Sequence, residues 1–376
     1  MAAEPLAIDW DAFLAHDWQQ RPRLFRRALP GFEPPLDGDD LAGLAMEPEA
    51  EARIVEHRPD GWLQADGPFA PEDYDRDHPW TLLVQGVDRW SPAVSDLLGT
   101  LSPIPRWRIE DVMVSYATDG GSVGPHYDNY DVFLLQGSGR RRWRIGEYCD
   151  QGCELLIHPS LRLLADFQAR EEYVLECGDI LYLPPRIAHW GIAEGPCTTF
   201  SLGLRAPRLN DMVSRWADRL LESLDDELFY QDRHLAPARR AGEIRPRDLE
   251  RARLQLQAAL DQLEGNDWFG ELVTDNPHAD PPGVGEIDAA SARLRTAGAT
   301  ACARPGARIA WQAEGDALLV FTNGSGLRVA GSLRDAVVQL AAGEPLAGAA
   351  LQALRDSTDG ERLLAHCLDW GAIDVY

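Results

Sequence analysis

Between Trp107 and Leu204 the chain is cut into short apolar runs by Gly-, Pro- and Asp-containing turns, and few architectures accommodate that pattern. Trp107–Ala117 (WRIEDVMVSYA) alternates apolar and polar residues, as a half-buried strand requires. Asp119-Gly120-Gly121 turns the chain, a second apolar run follows Asp131, and Gly137-Ser138-Gly139 turns it again into Arg140-Arg141-Arg142-Trp143. Tyr173–Leu175, Ile180–Leu183 and the alternating Thr198–Leu204 (TTFSLGL) complete the set. Many short strands joined by such turns close into a jelly roll or barrel.

Within this stretch lies His126-Tyr127-Asp128, followed by the apolar run. On extended backbone, residues two apart face the same way, so His126 and Asp128 project side by side. Such a pair supplies two of the three ligands of a facial 2-His-1-carboxylate site for non-haem Fe(II), which leaves coordination positions open. The second histidine is expected at His189, reached through Gly178-Asp179, the apolar Ile180–Leu183 and Pro184-Pro185. The two prolines fix the backbone and remove donors, which sets the angle at which His189 approaches. Of the other histidines, His16, His57, His78, His158, His234, His278 and His366 have no carboxylate at ligand spacing and read as surface or structural residues.

Composition narrows the partners. The chain holds 36 Lys+Arg, none of them lysine, against 61 Asp+Glu, for a net charge of −25. Phosphate would be repelled, so general nucleic-acid binding is not expected, and a macromolecular partner should be basic. Host environment accounts for the acidity equally well. No apolar run is long enough to span a membrane, and the six cysteines show no C-x-x-C pair, so they read as reduced thiols of a cytoplasmic protein.

The ordered set His126-x-Asp128, then Gly-Asp-x-Leu-Tyr-Leu-Pro-Pro-x-x-x-His189, resembles the JmjC oxygenases of the cupin superfamily. The longer string VGPHYDNYDVFLLQGSGRRRWRIG is similar to their bacterial ribosomal-oxygenase branch, with the likeness strongest over residues 10–205. The resemblance implies a double-stranded β-helix, mainly β with added helices, that binds Fe(II) through His126, Asp128 and His189 and uses 2-oxoglutarate and O2 as cosubstrates. It further implies that Arg141, fifteen positions after His126, holds the far carboxylate of 2-oxoglutarate. Strand alternation turns Arg141 away from Arg140 and Arg142, and a guanidinium takes a carboxylate bidentately. Ser115 is a candidate second contact to the same carboxylate. The substrate implied is an arginine of a large-subunit ribosomal protein, sixteenth of the L series, hydroxylated at its β-carbon. Asp111 and Tyr130 are the candidates for an anion and a flat platform beside that arginine. Alternatives are a histidyl hydroxylase or N-methyl demethylase of the same class, or a metal-binding cupin without oxygenase activity.

Elsewhere, Trp10, Phe13 and Leu14 fall at helical spacing, and residues 31–78 read as Pro- and Gly-rich chain with one short helix near Asp39–Met46. Beyond Arg205, Leu209, Met212, Trp216, Leu220, Leu224 and Phe229 recur at helical steps, while Leu249, Leu256 and Leu263 keep a seven-residue step. These helices either cap the barrel or, as the resemblance implies, form a homodimer interface. Asp275–Gly285 reads as a linker into a last unit of short strands and helices that suggests a winged helix. With few arginines and several acids, that unit is expected to have a protein-contact or structural role and not to bind DNA. The expected division is therefore a JmjC/cupin domain over 1–206 with its motifs in 107–205, a helical dimerisation region over 207–272, and a winged-helix-like domain over 286–376.

Overall fold

The computed structural model describes residues 6–376 apart from Gln151, Asp226, 238–239, 262–264 and Asn266. It holds two compact units, the first ending at Ala206.

The first unit is built on eleven strands: β1 (Arg23–Phe25), β2 (Ala52–Arg58), β3 (Gly61–Asp66), β4 (Trp80–Val84), β5 (Ile109–Ala117), β6 (Val132–Gln136), β7 (Arg140–Tyr148), β8 (Glu171–Leu175), β9 (Ile180–Leu183), β10 (Ile187–Glu194) and β11 (Cys197–Leu204). Eight of them form one sheet in the order β1-β9-β6-β11-β5-β4-β2-β3, and the other three form a second sheet, β10-β7-β8. All pairs are antiparallel. The two sheets face each other: Val132, Leu134, Leu181 and Leu183 from the large sheet pack against Trp143, Ile145 and Leu175 from the small one.

Period-two alternation divides β6, β9 and β11 of the large sheet between this interior and an outer core. Phe133 and Leu135 of β6, Ile180 and Tyr182 of β9, and Phe200, Leu202 and Leu204 of β11 point outward. There they meet Phe13 of α1 (Trp10–His16), Leu41 of α2 (Gly38–Leu44) and Val94 of α3 (Pro92–Ser95). Phe13 sets its ring edge-on to Tyr182 at 4.8 Å between centroids. Gly139 (φ +66°) makes the β6–β7 turn, where any Cβ would stand 2.2 Å from the Pro196 carbonyl oxygen. Inward positions of β4, β5, β6, β7 and β11 also carry Thr81, Ser115, Gln136, Arg141 and Thr199, all buried, so one part of the interior is polar beside the apolar cluster.

Asp131 anchors the start of β6. Its fully buried carboxylate accepts hydrogen bonds from the Tyr182 hydroxyl at 2.6 Å, Gln19 Nε2 at 2.8 Å and Arg108 Nη2 at 3.0 Å. A buried charge paired on all sides locks the chain three residues beyond Asp128. Asp179 does the same before β9, accepting from Arg26 Nη1 at 2.6 Å and the Arg27 amide at 2.9 Å. Both stand immediately before a strand, where their ion pairs fix its start.

Two strands depart from expectation: β2 and β3 occupy part of the span read as irregular. Their polar residues concealed them, because β2 buries Glu56 by pairing it with Arg58 and Arg76 at 2.9 Å each.

The second unit opens with α4 (Leu209–Ser223), α5 (Pro246–Leu260), α6 (Asp267–Thr274) and α7 (Val284–Leu294). Phe229, expected to continue the first helical run, lies beyond its end, and Leu263 lies outside the described residues. The linker read at 275–285 is shorter than expected, since α7 begins at Val284. Then come β12 (Thr300–Ala303), β13 (Ile309–Glu314), β14 (Ala317–Thr322), β15 (Ser325–Ala330), α8 (Arg334–Ala341), β16 (Leu346–Ala347), α9 (Gly348–Arg355), α10 (Thr358–Asp369) and β17 (Ile373–Val375). β13-β14-β15 form a meander and β16-β12-β17 a small sheet around a core that includes Leu318, Val337, Leu351 and Leu363.

Candidate metal centre

After β5 the chain crosses to the small sheet and is fastened there. Ser122 Oγ donates to the Gly191 carbonyl at 2.7 Å and accepts from the Gly124 amide at 3.0 Å and Trp190 Nε1 at 2.8 Å. His126 and His189 then face each other across an antiparallel bridge and exchange both backbone hydrogen bonds, at 3.0 and 2.8 Å. Directly opposed residues on such a bridge share a face. The Asp128 carbonyl accepts from the Arg186 amide at 2.6 Å, and Arg186 sits at φ +68° immediately after the two prolines. A non-glycine residue held there signals a turn over-determined by its surroundings.

The result brings one ligand atom each from His126, Asp128 and His189 within 4.8 Å of one another, the only such three-residue cluster among the described residues. His189 Nε2 lies 3.7 Å from Asp128 Oδ2. Each imidazole donates its Nδ1–H to a backbone carbonyl two residues earlier, His126 to Gly124 at 2.9 Å and His189 to Ile187 at 2.8 Å. Those bonds fix the tautomer that leaves both Nε2 lone pairs free for a metal. His189 is 3% exposed, and burial, reinforced by the neighbouring His126, pushes its pKa down to about 4, so the ring is neutral at pH 7. Two imidazole nitrogens and a carboxylate form a donor set suited to a first-row divalent metal with sites to spare.

Deeper in the barrel, β7 turns Arg141, Trp143 and Ile145 inward. Ile145 pairs with His189, Trp143 with Gly191, and Arg141 with Ala193, so Arg141 stands at the far end from the three-residue cluster. It is 4% exposed, and its Nε and Nη2 have no hydrogen-bond partner among the described residues. Arg140 and Arg142 point outward, where both bind Glu194 and Arg142 also binds Glu172. A buried guanidinium with orphaned N–H groups is costly unless an anion completes it. Ser115 is buried on the inward face of β5, opposite Leu83 and Thr199.

Asp111 lies on the same face of β5, toward the metal end. It accepts from Gln85 Nε2 at 2.7 Å, and burial raises its pKa to about 6. Tyr130 is partly exposed, and its phenol is pushed above its ordinary range by burial and then by the Asp128 and Asp111 carboxylates. Those couplings place Asp111, Asp128 and Tyr130 in one neighbourhood. Of the remaining histidines, His57 stacks on Trp62 at 4.1 Å and His158 Nε2 contacts the Trp62 carbonyl at 3.0 Å, both structural roles. Reading the sequence missed Trp143 as a lining residue, although its position two past Arg141 on one strand was the available signal.

Residues 96–212 match the JmjC domain family, and residues 261–373 match the family described as a ROXA-like winged helix. The chain is 38% identical over 276 residues to the ribosomal protein uL16 3-hydroxylase of Escherichia coli (strain K12), covering 73% of each chain. It is 40% identical over 212 residues to a probable ribosomal oxygenase of Haemophilus influenzae, covering 56% of this chain and 52% of that one. The structure of E. coli YcfD superposes with a TM-score of 0.84 at 32% identity over 100% of both chains. A structure of YcfD described as a ribosomal oxygenase in complex with cobalt and 2-oxoglutarate superposes with a TM-score of 0.82 at 31% identity over 99% of both.

Proposed function

We propose a function from the premise that this chain belongs to the JmjC-domain ribosomal oxygenases, with a cupin-type barrel and a ROXA-like winged helix. It is a 2-oxoglutarate-dependent dioxygenase that hydroxylates a ribosomal protein. The observation that carries the reading is the joint presence, in one barrel, of the three-ligand cluster and the orphaned buried guanidinium of Arg141.

His126, Asp128 and His189 would hold Fe(II), and Arg141 would pair with the far carboxylate of 2-oxoglutarate. Arg141 lies four residues along β7 from Ile145, the strand partner of His189, which is about 13 Å at roughly 3.3 Å per residue. An arginine side chain and a five-carbon diacid together fill that span. When bound, iron, 2-oxoglutarate and O2 supply the oxidising equivalent that inserts one oxygen atom into a substrate C–H bond, with succinate and CO2 as coproducts. This chain's residues hold and align. The two Nδ1–H bonds orient both rings with Nε2 toward the site, Ser115 adds a hydroxyl on the inward face, and the apolar wall of Leu134, Leu181 and Leu183 excludes water.

The substrate side chain is an arginine, hydroxylated at its β-carbon, on the sixteenth protein of the large subunit. Asp111 supports this: burial raises its pKa to about 6, and a cation entering beside the carboxylate would offset that cost of burial. Tyr130 offers the flat face for a guanidinium. The net charge of −25 favours approach of a basic ribosomal protein, and a ribosomal substrate favours a cytoplasmic enzyme. No helix among the described residues is long and apolar enough to cross a membrane.

The protein acts as a homodimer through the helices that open the second unit. Leu209, Val213 and Leu221 of α4 and Leu249, Leu254 and Leu256 of α5 are exposed, and α5 buries no residue within its own chain. Mass spectrometry of ribosomal proteins incubated with the enzyme, Fe(II), 2-oxoglutarate and O2 tests the whole reading. One added oxygen on one arginine is expected; 2-oxoglutarate turnover without any protein-borne oxygen would overturn the substrate assignment.

A further inference from the structure

The barrel holds another orphaned donor. Trp143 is 4% exposed, and its indole Nε1–H is buried without a hydrogen-bond partner among the described residues. A buried indole N–H ordinarily finds an acceptor, and leaving one unpaired is destabilising. The walls provide none, since Trp143 packs among Val132, Leu134, Ile145, Leu175, Leu181 and Leu183. Its position is specific. The ring centroid lies 5.9 Å from that of the His189 ring and 5.9 Å from the guanidinium carbon of Arg141. Trp143 therefore stands between the metal ligands and the carboxylate clamp, on the inward face they share. The opposite strand makes room for it: a Cβ on Gly191 would meet three indole carbons at 2.8, 2.8 and 3.0 Å.

We propose that the Trp143 indole N–H donates a hydrogen bond to the bound 2-oxo acid, midway between the metal and Arg141, and that Gly191 is small in order to seat that ring. Indole is a donor only, so its partner on the ligand is an acceptor, a carboxylate or keto oxygen. The inference rests on the assignment of Arg141 to the cosubstrate. It adds a residue that fixes the acid's orientation and not merely its charge.

The test uses the full chain loaded with Zn(II), which is redox-inert and diamagnetic, with 15N-labelled tryptophan. Comparison with Trp143→Phe identifies the Trp143 indole resonance among those of the twelve tryptophans. Adding 2-oxoglutarate to the wild-type protein should move that resonance downfield and slow its exchange with solvent. Trp143→Phe keeps the aromatic wall, so zinc affinity should be unchanged. Its 2-oxoglutarate affinity should fall about ten- to a hundredfold, the loss of one hydrogen bond to a charged group. Gly191→Ala should weaken 2-oxoglutarate binding too, by displacing the ring without removing a donor, and it covers the case in which Trp143→Phe fails to fold. An indole resonance unmoved by saturating 2-oxoglutarate would overturn the inference, as would wild-type affinity in Trp143→Phe. Arg141→Ala separates the two layers. If it weakens binding while Trp143→Phe does not, the clamp stands and the indole role falls. If neither weakens binding, the cosubstrate reading itself falls.

Discussion

Replacing Arg141 with methionine should change stability and cosubstrate affinity in opposite directions. The guanidinium is 4% exposed, and two of its nitrogens lack partners among the described residues. In the cosubstrate-free protein it is thus a desolvated cation without a counter-charge. Each unsatisfied buried donor costs about 1–3 kcal/mol, and an apolar residue of similar length avoids the penalty at little packing cost. Taking about 2 kcal/mol as the net gain, and roughly 2–4 °C per kcal/mol for a unit of this size, Arg141→Met should raise the Tm of the cosubstrate-free protein by about 4–8 °C. Affinity should move the other way. Breaking one side of a buried ion pair costs about 3–5 kcal/mol, and ~1.4 kcal/mol is tenfold, so 2-oxoglutarate should bind two to three and a half orders of magnitude more weakly. Calorimetric titration of Mn(II)-loaded protein reads the affinity, and scanning calorimetry without cosubstrate reads the stability. Arg140→Ala and Arg142→Ala serve as controls, because both side chains point outward into the Glu172 and Glu194 ion pairs. A lowered Tm together with 2-oxoglutarate affinity within threefold of wild type would refute the reasoning and make Arg141 a structural cation.

Three further outcomes are expected. Asp128→Ala removes the sole anionic ligand, so Fe(II) retention measured by equilibrium dialysis should collapse and turnover should vanish while the circular dichroism spectrum is kept; turnover near wild type would sink the triad. Without metal, stability should fall with acidity through His189. The unfolded ring takes a proton near pH 6.5, whereas the buried ring resists until about pH 4, so stability is full above 6.5 and falls by about 3 kcal/mol on the way down to 4. Urea midpoints should show that slope in wild type and lack it in His189→Gln; parallel profiles would discard the assignment. Leu249→Glu combined with Leu256→Glu places charge on the exposed apolar face of α5 and should convert a dimer to a monomer by light scattering, whereas a wild-type monomer that is folded and active would end the dimer proposal.

The strands of the barrel were legible where alternation is clean and turns are marked. β5, β9 and β11 lie close to where the patterns of Trp107–Ala117, Ile180–Leu183 and Thr198–Leu204 put them. The strands that escaped notice owe their stability to partners far along the chain. β2 carries two arginines and a glutamate, and it becomes a strand because β3 and β4 pair with it and Arg76 reaches back to Glu56. In the second unit, β12 was invisible for the same reason: four small residues held by β17 and β16 from the other end of the unit. Propensity cannot report such pairings, because they exist only once the tertiary structure does.

The site was legible to a different depth. His126, Asp128 and His189 could be named from the ordered motifs and the family they resemble, but the expected strand is absent: His126 and Asp128 lie in the connection between β5 and β6, where an isolated bridge to His189 aims His126. The orientation of Arg141 followed from strand period. Sequence alone could not separate polar residues that are satisfied from those that wait for a ligand. Gln136 and Trp143 both sit inside the barrel, both buried. Gln136 spends its amide on the carbonyls of Ser138 and Thr198, at 3.0 Å each, and so serves the fold. Trp143 and Arg141 spend theirs on nothing within the described protein. A barrel evolved for stability alone would have filled those positions with apolar side chains or paired them, as it paired Asp131 with three donors. Arg141 and Trp143 lie in one line on β7 behind His126, Asp128 and His189. Along that line buried donors go without partners, a cost that a bound acceptor would offset.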